Sequence, residues 1–163
     1  ELQINLKSLK DNLNQIKNYT SAKIQAVVKA GAYGLNLNEV YNAISDDVES
    51  FAVITLKEAK ALRQITDKPI LLFQGVHETK DYSDVEDLNL DFVIHSPWQF
   101  DGIEKFNLSN SRIWLKIETG MNRFGLHEQD FLKIYKLLNK EKFSEVILMS
   151  HLACSGCLFL WQE

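Results

Sequence analysis

The sequence predicts an α/β protein built around a parallel sheet. Three observations carry this prediction: short apolar runs that read as strands, amphipathic stretches between most of them, and helix-start signals directly after several of the runs.

In chain order, Leu6, Leu9, Leu13 and Ile16 recur at helical spacing and predict an amphipathic helix over residues 5–18. Residues 24–29 form a short strand with Ala26, Val27 and Val28 inside it, and Gly31 and Gly34 punctuate the loop that follows. Asn36-x-x-Glu39 resembles a helix start, with Leu37, Val40, Tyr41 and Ile44 as its apolar face. Residues 51–54 are a second strand running straight into Thr55-x-x-Glu58, a capping box in which hydroxyl and carboxylate satisfy reciprocal backbone N–H groups. Leu56, Ala59, Leu62 and Ile65 mark the helix it opens. Pro69 opens a third strand over 70–73; residues 76–90 are polar and acidic and predict only a weak helix. A fourth strand, 92–94, leads to Ser96-Pro97-Trp98-Gln99: a cap, a proline at the first helical position, and a glutamine three residues after the cap. Residues 113–117 are a fifth strand. Phe131, Ile134, Tyr135 and Leu138 share one face of the next helix, and 146–149 are a sixth strand. Runs this short and apolar are expected where both faces of a parallel sheet are buried. Two architectures suit the series, a doubly wound open sheet and a (β/α)₈ barrel. A typical barrel takes ~250 residues, so this chain would hold about three-quarters of one.

Composition narrows the function classes. The chain has 163 residues, a net charge of -4, 45% hydrophobic and 25% charged residues, and no basic block of the kind that contacts nucleic acid. No apolar run approaches the ~18 residues of a membrane span, and the start lacks the pattern of a signal peptide. It also lacks an initiator methionine, consistent with processing upstream. The two cysteines, Cys154 and Cys157, are too few and too close for a disulfide framework, and a reducing cytoplasm is the expected setting. As a C-x-x-C they lack the second pair of a zinc site and the context of a redox motif, and no metal is expected.

The chemistry concentrates at strand ends. Lys29 closes the first strand in Val27-Val28-Lys29-Ala30-Gly31-Ala32-Tyr33-Gly34. In α/β folds that end of a strand is where ligands bind, and a lysine amine there can form a Schiff base with an aldehyde cofactor. By position alone Lys29 could equally mark the solvent end of the strand. Lys116 and Arg123 lie in Trp114-Leu115-Lys116-Ile117-Glu118-Thr119-Gly120-Met121-Asn122-Arg123-Phe124-Gly125, where the arginine offers a permanent cation with a planar fork suited to carboxylates and oxyanions. His151, in Met149-Ser150-His151-Leu152-Ala153-Cys154, ends the sixth strand; a histidine there is otherwise a hydrogen-bonded structural residue. His77, His95 and His127 show no ligand spacing and read as loop or helix-start residues. Trp98 and Trp114 read as core or groove packing.

These three segments, in this order, resemble the alanine racemases. The family usually has Val-Lys-Ala-Asn-Ala-Tyr-Gly-His-Gly, Val-Lys-Val-Asp-Thr-Gly-Met-Gly-Arg-Leu-Gly and Ser-His-Leu-Ala-Cys-Ala-Asp. This chain departs at Gly31, at Leu35-Asn36, and at Glu118 in place of the common Asp. The resemblance implies a partial (β/α)₈ barrel with about six βα units. It also implies pyridoxal 5'-phosphate as cofactor and interconversion of L- and D-alanine for cell-wall synthesis. Lys29 would hold the cofactor and act as one catalytic base, and Tyr33 would hydrogen-bond its phosphate. Arg123 would bond its phenolic oxygen and help place the substrate carboxylate. Lys116, at a position that can carry a carbamate in racemases of known mechanism, would orient that arginine, and His151 would lie against the ring. Members of the family are homodimers.

The likeness runs from Leu2 to about Cys154. Residues 1–154 therefore read as the racemase barrel domain, incomplete, and 155–163 as a divergent tail that a frameshift or early stop would produce. On this reading strands seven and eight and the family's C-terminal β-domain are missing. With them would go the tyrosine that serves as second base and the arginine at the pyridine nitrogen, so little or no turnover is expected. Three alternatives stand beside it: a related decarboxylase or racemase, a single-domain pyridoxal-phosphate homeostasis-type protein, and an inert gene remnant. The Thr119-Gly120-Met121-x-Arg123 segment favours the racemase.

Overall fold

The computed structural model describes residues 3–152. Cys154, Cys157 and the tail 155–163, like the start of the chain at Leu2, lie outside the described residues. The chain divides into two compact units, residues 1–73 and 74–163.

In the first unit, helix α1 (Leu6–Tyr19) opens on Asn5, whose side chain accepts from Ser8 N–H at 3.1 Å. Of its predicted apolar positions only Leu13 is buried, and Ile16 is exposed. Strands β1 (Gln25–Val27), β2 (Ser50–Val53) and β3 (Ile70–Leu72) pair in parallel, each with the next in sequence; Ala26 lies opposite Phe51, and Ala52 opposite Leu71. Helix α3 (Leu37–Ile44) follows β1 after the short turn α2 (Lys29–Tyr33), and α4 (Leu56–Arg63) follows β2. The core is Phe51, Ala52, Val53, Ala59, Leu62, Ile70, Leu71 and Leu72, all essentially without exposure. Burying a side chain such as Leu62 stabilises the fold by about 1.5–3 kcal/mol. Below the sheet, Lys68 Nζ donates to the carbonyls of Ser45 and Val48, and Arg63 donates to those of Thr66 and Lys68, so loop backbone is satisfied by long cationic stems.

In the second unit, β4 (Asp91–Ile94), β5 (Arg112–Ile117) and β6 (Glu145–Ser150) are again parallel and sequential. The weak helix of the acidic stretch is one short piece, α5 (Tyr82–Asp87), and α6 (Glu128–Leu137) precedes β6. The buried Asp91 carboxylate accepts from the backbone N–H and guanidinium of Arg112, tying β4 to β5 at their amino ends. Gly75 sits at φ +66, and a Cβ there would lie 2.0 Å from the Val93 carbonyl oxygen, so only glycine admits this approach. Among the described residues neither unit shows the reversal of strand order that defines a doubly wound sheet.

Three expectations are corrected. Strands β2, β3 and β4 are buried on both faces, but β1 and β6 are not: Val27 is 38% and Leu148 59% exposed. Among the described residues each of these strands pairs with a neighbour on one edge within its unit, so part of its side-chain surface stays in solvent. Helix α6 buries Ile134, with Leu138 at its end, while Phe131 and Tyr135 stack on each other at 5.7 Å and Tyr135 faces solvent. Trp98 is not core: it is 48% exposed beside His77. Trp114 is half-buried under the Arg112 guanidinium, and its Nε1 is buried without an acceptor among the described residues.

Candidate active site

In the first unit the candidate residues stand just past the carboxyl end of β1. Val28 prolongs the sheet pairing by donating to Ala52 O at 2.9 Å, and Lys29 follows it, half-buried. The chain then turns left-handed: Ala30, Gly31, Ala32 and Tyr33 all have φ between 51 and 62°. Three of these are not glycine, and each such residue costs about 1–2 kcal/mol against the right-handed form. The turn closes on itself through Ala32 N–H to Val28 O and Gly34 N–H to Ala30 O, both at 2.9 Å. It carries the Lys29 amine 5.6 Å from the Tyr33 ring centre, and Tyr33 is exposed.

Glu58 completes this turn from outside. Its carboxylate accepts from Ala30 N–H at 2.7 Å, Ile54 N–H at 2.9 Å and Thr55 N–H at 3.0 Å. Burial pushes the Glu58 pKa up, but these backbone bonds outweigh burial and hold it below the usual carboxylate value. The capping box is present as the sequence indicates, with Glu58 N–H donating to the Thr55 hydroxyl at 3.2 Å. The bond to Ala30 is not part of a capping box, and the sequence reading did not anticipate it.

In the second unit Lys116 lies within β5, only 5% exposed, with its Nζ 6.0 Å from the Phe124 ring centre. Burial lowers its pKa, and the Arg123 charge lowers it further against a smaller opposing effect of Glu118. Arg123 stands on a loop that leaves β5 and returns to it. Glu118 N–H donates to Leu126 O at 3.0 Å, and Leu126 N–H to Lys116 O at 2.7 Å. Gly125 makes the return possible: at φ +154, a Cβ would sit 2.7 Å from the Glu118 nitrogen. The amide of Asn122 lowers the Glu118 pKa most; burial opposes it, and the amides of Gly120, Met121 and Thr119 add to the lowering. The loop thus closes around its own carboxylate.

His95 corrects the sequence reading of a loop residue. It is 4% exposed at the end of β4, its ring 4.5 Å from that of Phe124. Nε2 lies 3.0 Å from the Gln74 carbonyl, which can only accept, so Nε2 carries the proton and Nδ1 accepts from the Ser96 hydroxyl. Burial lowers its pKa most; the bond to the Gln74 carbonyl opposes this, and the Lys116 charge adds to the lowering. Gln99, read as a capping residue, does more: Oε1 accepts from His95 and Ser96 N–H, and Nε2 donates to Gln74 and Val76 O. His127 is the N-cap residue of α6, as expected of a helix-start residue. His151 follows β6, exposed, its carbonyl accepting from the Thr119 hydroxyl at 3.4 Å. The structure brings Lys29 together with Tyr33, while Arg123 is linked to Lys116 through the effect of its charge on the lysine's pKa.

Parallel strands that follow one another in sequence, most of them separated by helices, define the class: an α/β chain of the βα-barrel type. The chain belongs to the alanine racemase family; residues 4–158 match the family profile described as alanine racemase, N-terminal domain. The alanine racemase of Pseudomonas taetrolens is 37% identical over 153 residues, covering 92% of this chain and 43% of its own length. That of Vesicomyosocius okutanii is 38% identical over 156 residues, at 94% and 44%. Among solved structures, the biosynthetic alanine racemase from Pseudomonas aeruginosa superposes with a TM-score of 0.85 at 32% identity, covering 92% of this chain and 43% of that one. The chain spans less than half the length of these relatives. The fold is α/β with six parallel strands, corresponding to the amino-terminal barrel of the family.

Proposed function

We propose that this chain contributes the lysine-bearing part of an alanine racemase site, dependent on pyridoxal 5'-phosphate. The observation that carries the reading is Lys29, held half-buried just past the end of β1 by a left-handed turn, in a chain of this family. The donor set of that turn fits such a cofactor. It offers a primary amine and an exposed phenol, and the space beside Gly31 and Gly34 is open.

The cofactor, when bound, withdraws electrons from the amino acid and acidifies its Cα hydrogen. Lys29 would attach it through the amine and act as one base, moving a proton at Cα of alanine. The Tyr33 hydroxyl would donate to the phosphate. Arg123 would bond the phenolic oxygen and orient the substrate carboxylate, with Lys116 beside it as support. His151 would pack against the ring. A homodimer, a role in D-alanine supply for the cell wall and a cytoplasmic setting belong to the same reading. Among the described residues no helix is long and apolar enough to cross a membrane.

The test is exchange of the alanine Cα hydrogen into heavy water, followed by NMR with pyridoxal phosphate added. A single positioned base suffices for exchange, so the assay reads Lys29 directly. Exchange above the free-cofactor rate, lost in Lys29→Ala, supports the proposal. Exchange equal in the two proteins contradicts it.

A further inference from the structure

The left-handed turn after Lys29 presents a problem of energy that the local sequence does not solve. Ala30, Ala32 and Tyr33 occupy a conformation that side-chain-bearing residues avoid, so surrounding structure must over-determine it. The turn's own backbone bonds begin at Ala32 and leave the Ala30 N–H, next to Lys29, outside them. That N–H is taken by Glu58, 28 residues away, and its 2.7 Å bond is the shortest of the three backbone bonds to that carboxylate. The other two come from Ile54 and Thr55, which leave the buried strand β2. One carboxylate thus fastens the residue after Lys29 to the end of the neighbouring strand.

We propose that Glu58 is a positioning residue for Lys29: its carboxylate, anchored on the β2–α4 junction, fixes where the left-handed turn begins and so where the amine stands. The inference rests on the reading of Lys29 as the cofactor lysine. The chemistry requires a carboxylate. Three converging N–H donors need acceptors only, and a carboxylate supplies two such oxygens. Glutamine would keep one of them and turn an NH₂ toward a donor. Aspartate keeps the charge and shortens the reach by one methylene.

The experiment compares E58Q, E58D and the unaltered protein by two readouts. The first is amide hydrogen exchange at Ala30, with Val28 as reference, since the Val28 bond to Ala52 lies in the sheet and does not involve Glu58. The second is affinity for pyridoxal phosphate, read by spectroscopic titration. The expected result for E58Q is exchange at Ala30 faster by about tenfold or more, with Val28 unchanged and cofactor affinity reduced. E58D is expected to fall between E58Q and the unaltered protein on both. Unchanged exchange at Ala30 in E58Q overturns the inference, as does faster exchange at Ala30 with undiminished cofactor affinity. If E58Q also loses protection at Val28, E58D decides: Ala30 faster with Val28 intact and affinity reduced upholds the inference, and any other pattern overturns it. An unaltered protein that takes no cofactor at Lys29 overturns the proposed function instead, and the exchange comparison still shows whether Glu58 holds the turn.

Discussion

Two regions of this chain place a lysine near the carboxyl end of a parallel strand, and they stabilise the backbone beyond it in opposite ways. After β5 the loop from Glu118 to Leu126 is self-contained: Glu118 gathers the amides of its own turn, and Leu126 returns to bond Lys116. After β1 the turn is short, left-handed and strained, and its first N–H is held by a carboxylate from α4, the helix that follows β2. The amines differ accordingly. Lys116 is buried, and burial lowers its pKa; Lys29 stands half-buried beside an exposed tyrosine. A reactive amine must be reachable, so its strand end cannot wrap itself in a closed loop. Its precision has to come from outside, at the cost of local strain.

That contrast can be broken at its glycines. Gly125→Ala drives a methyl into the Glu118 backbone and should cost about 1–3 kcal/mol, read by chemical denaturation, with faster exchange at the Leu126 amide. An unaltered midpoint would mean the loop is not closed as described. Thr55→Ala removes the cap hydroxyl of α4 and should cost about 1 kcal/mol. Glu58 keeps its bond to Ala30, so protection of that amide should persist; its loss would merge cap and anchor into one device. Gly31→Ala is expected to be milder than Gly125→Ala, about 1 kcal/mol, because no described atom lies within 4 Å of the added methyl and the cost is left-handed strain alone, partly offset by restriction of the unfolded chain. A larger loss than at Gly125 would reverse the comparison.

The smallest effect is a pH dependence in the second unit. His95 has a pKa lowered in the folded state, chiefly by burial. Below its unfolded value of about 6.5 the unfolded chain takes up the proton first. Stability should therefore fall as the pH drops from about 6.5 toward the lowered folded value, and level beyond it. Subtracting the profile of His95→Asn isolates this contribution; identical slopes for the two proteins would refute the lowered pKa of the buried ring.

How much of this was legible in the sequence depends on the range of the signal. Short-range features were readable: the Thr55-x-x-Glu58 cap, the Asn36 helix start, the order of strands, and the segments around Lys29, Lys116 and His151. What sequence reasoning missed is long-range. Glu58 fulfils its capping role and then reaches a residue 28 positions earlier, and the capping box explains it fully without that bond. His95 looks like any polar residue after a strand; only the placement of Gln74, Ser96 and Phe124 makes it a buried ring. Gln99 was visible as a cap but not as the donor to two carbonyls of a loop more than 20 residues away. The exposure of β6 was hidden because Val146-Ile147-Leu148-Met149 is as apolar as the strands that are buried, and composition does not report which edges are covered.

Of the two strand-end lysines, we propose Lys29 as the reactive one. The direct measurement is borohydride reduction of the protein mixed with substoichiometric pyridoxal phosphate, followed by peptide mapping. The expected pyridoxyl label is concentrated on Lys29, with Lys116 unlabelled behind its closed loop. A label on Lys116, or one spread evenly over the surface lysines, would contradict it.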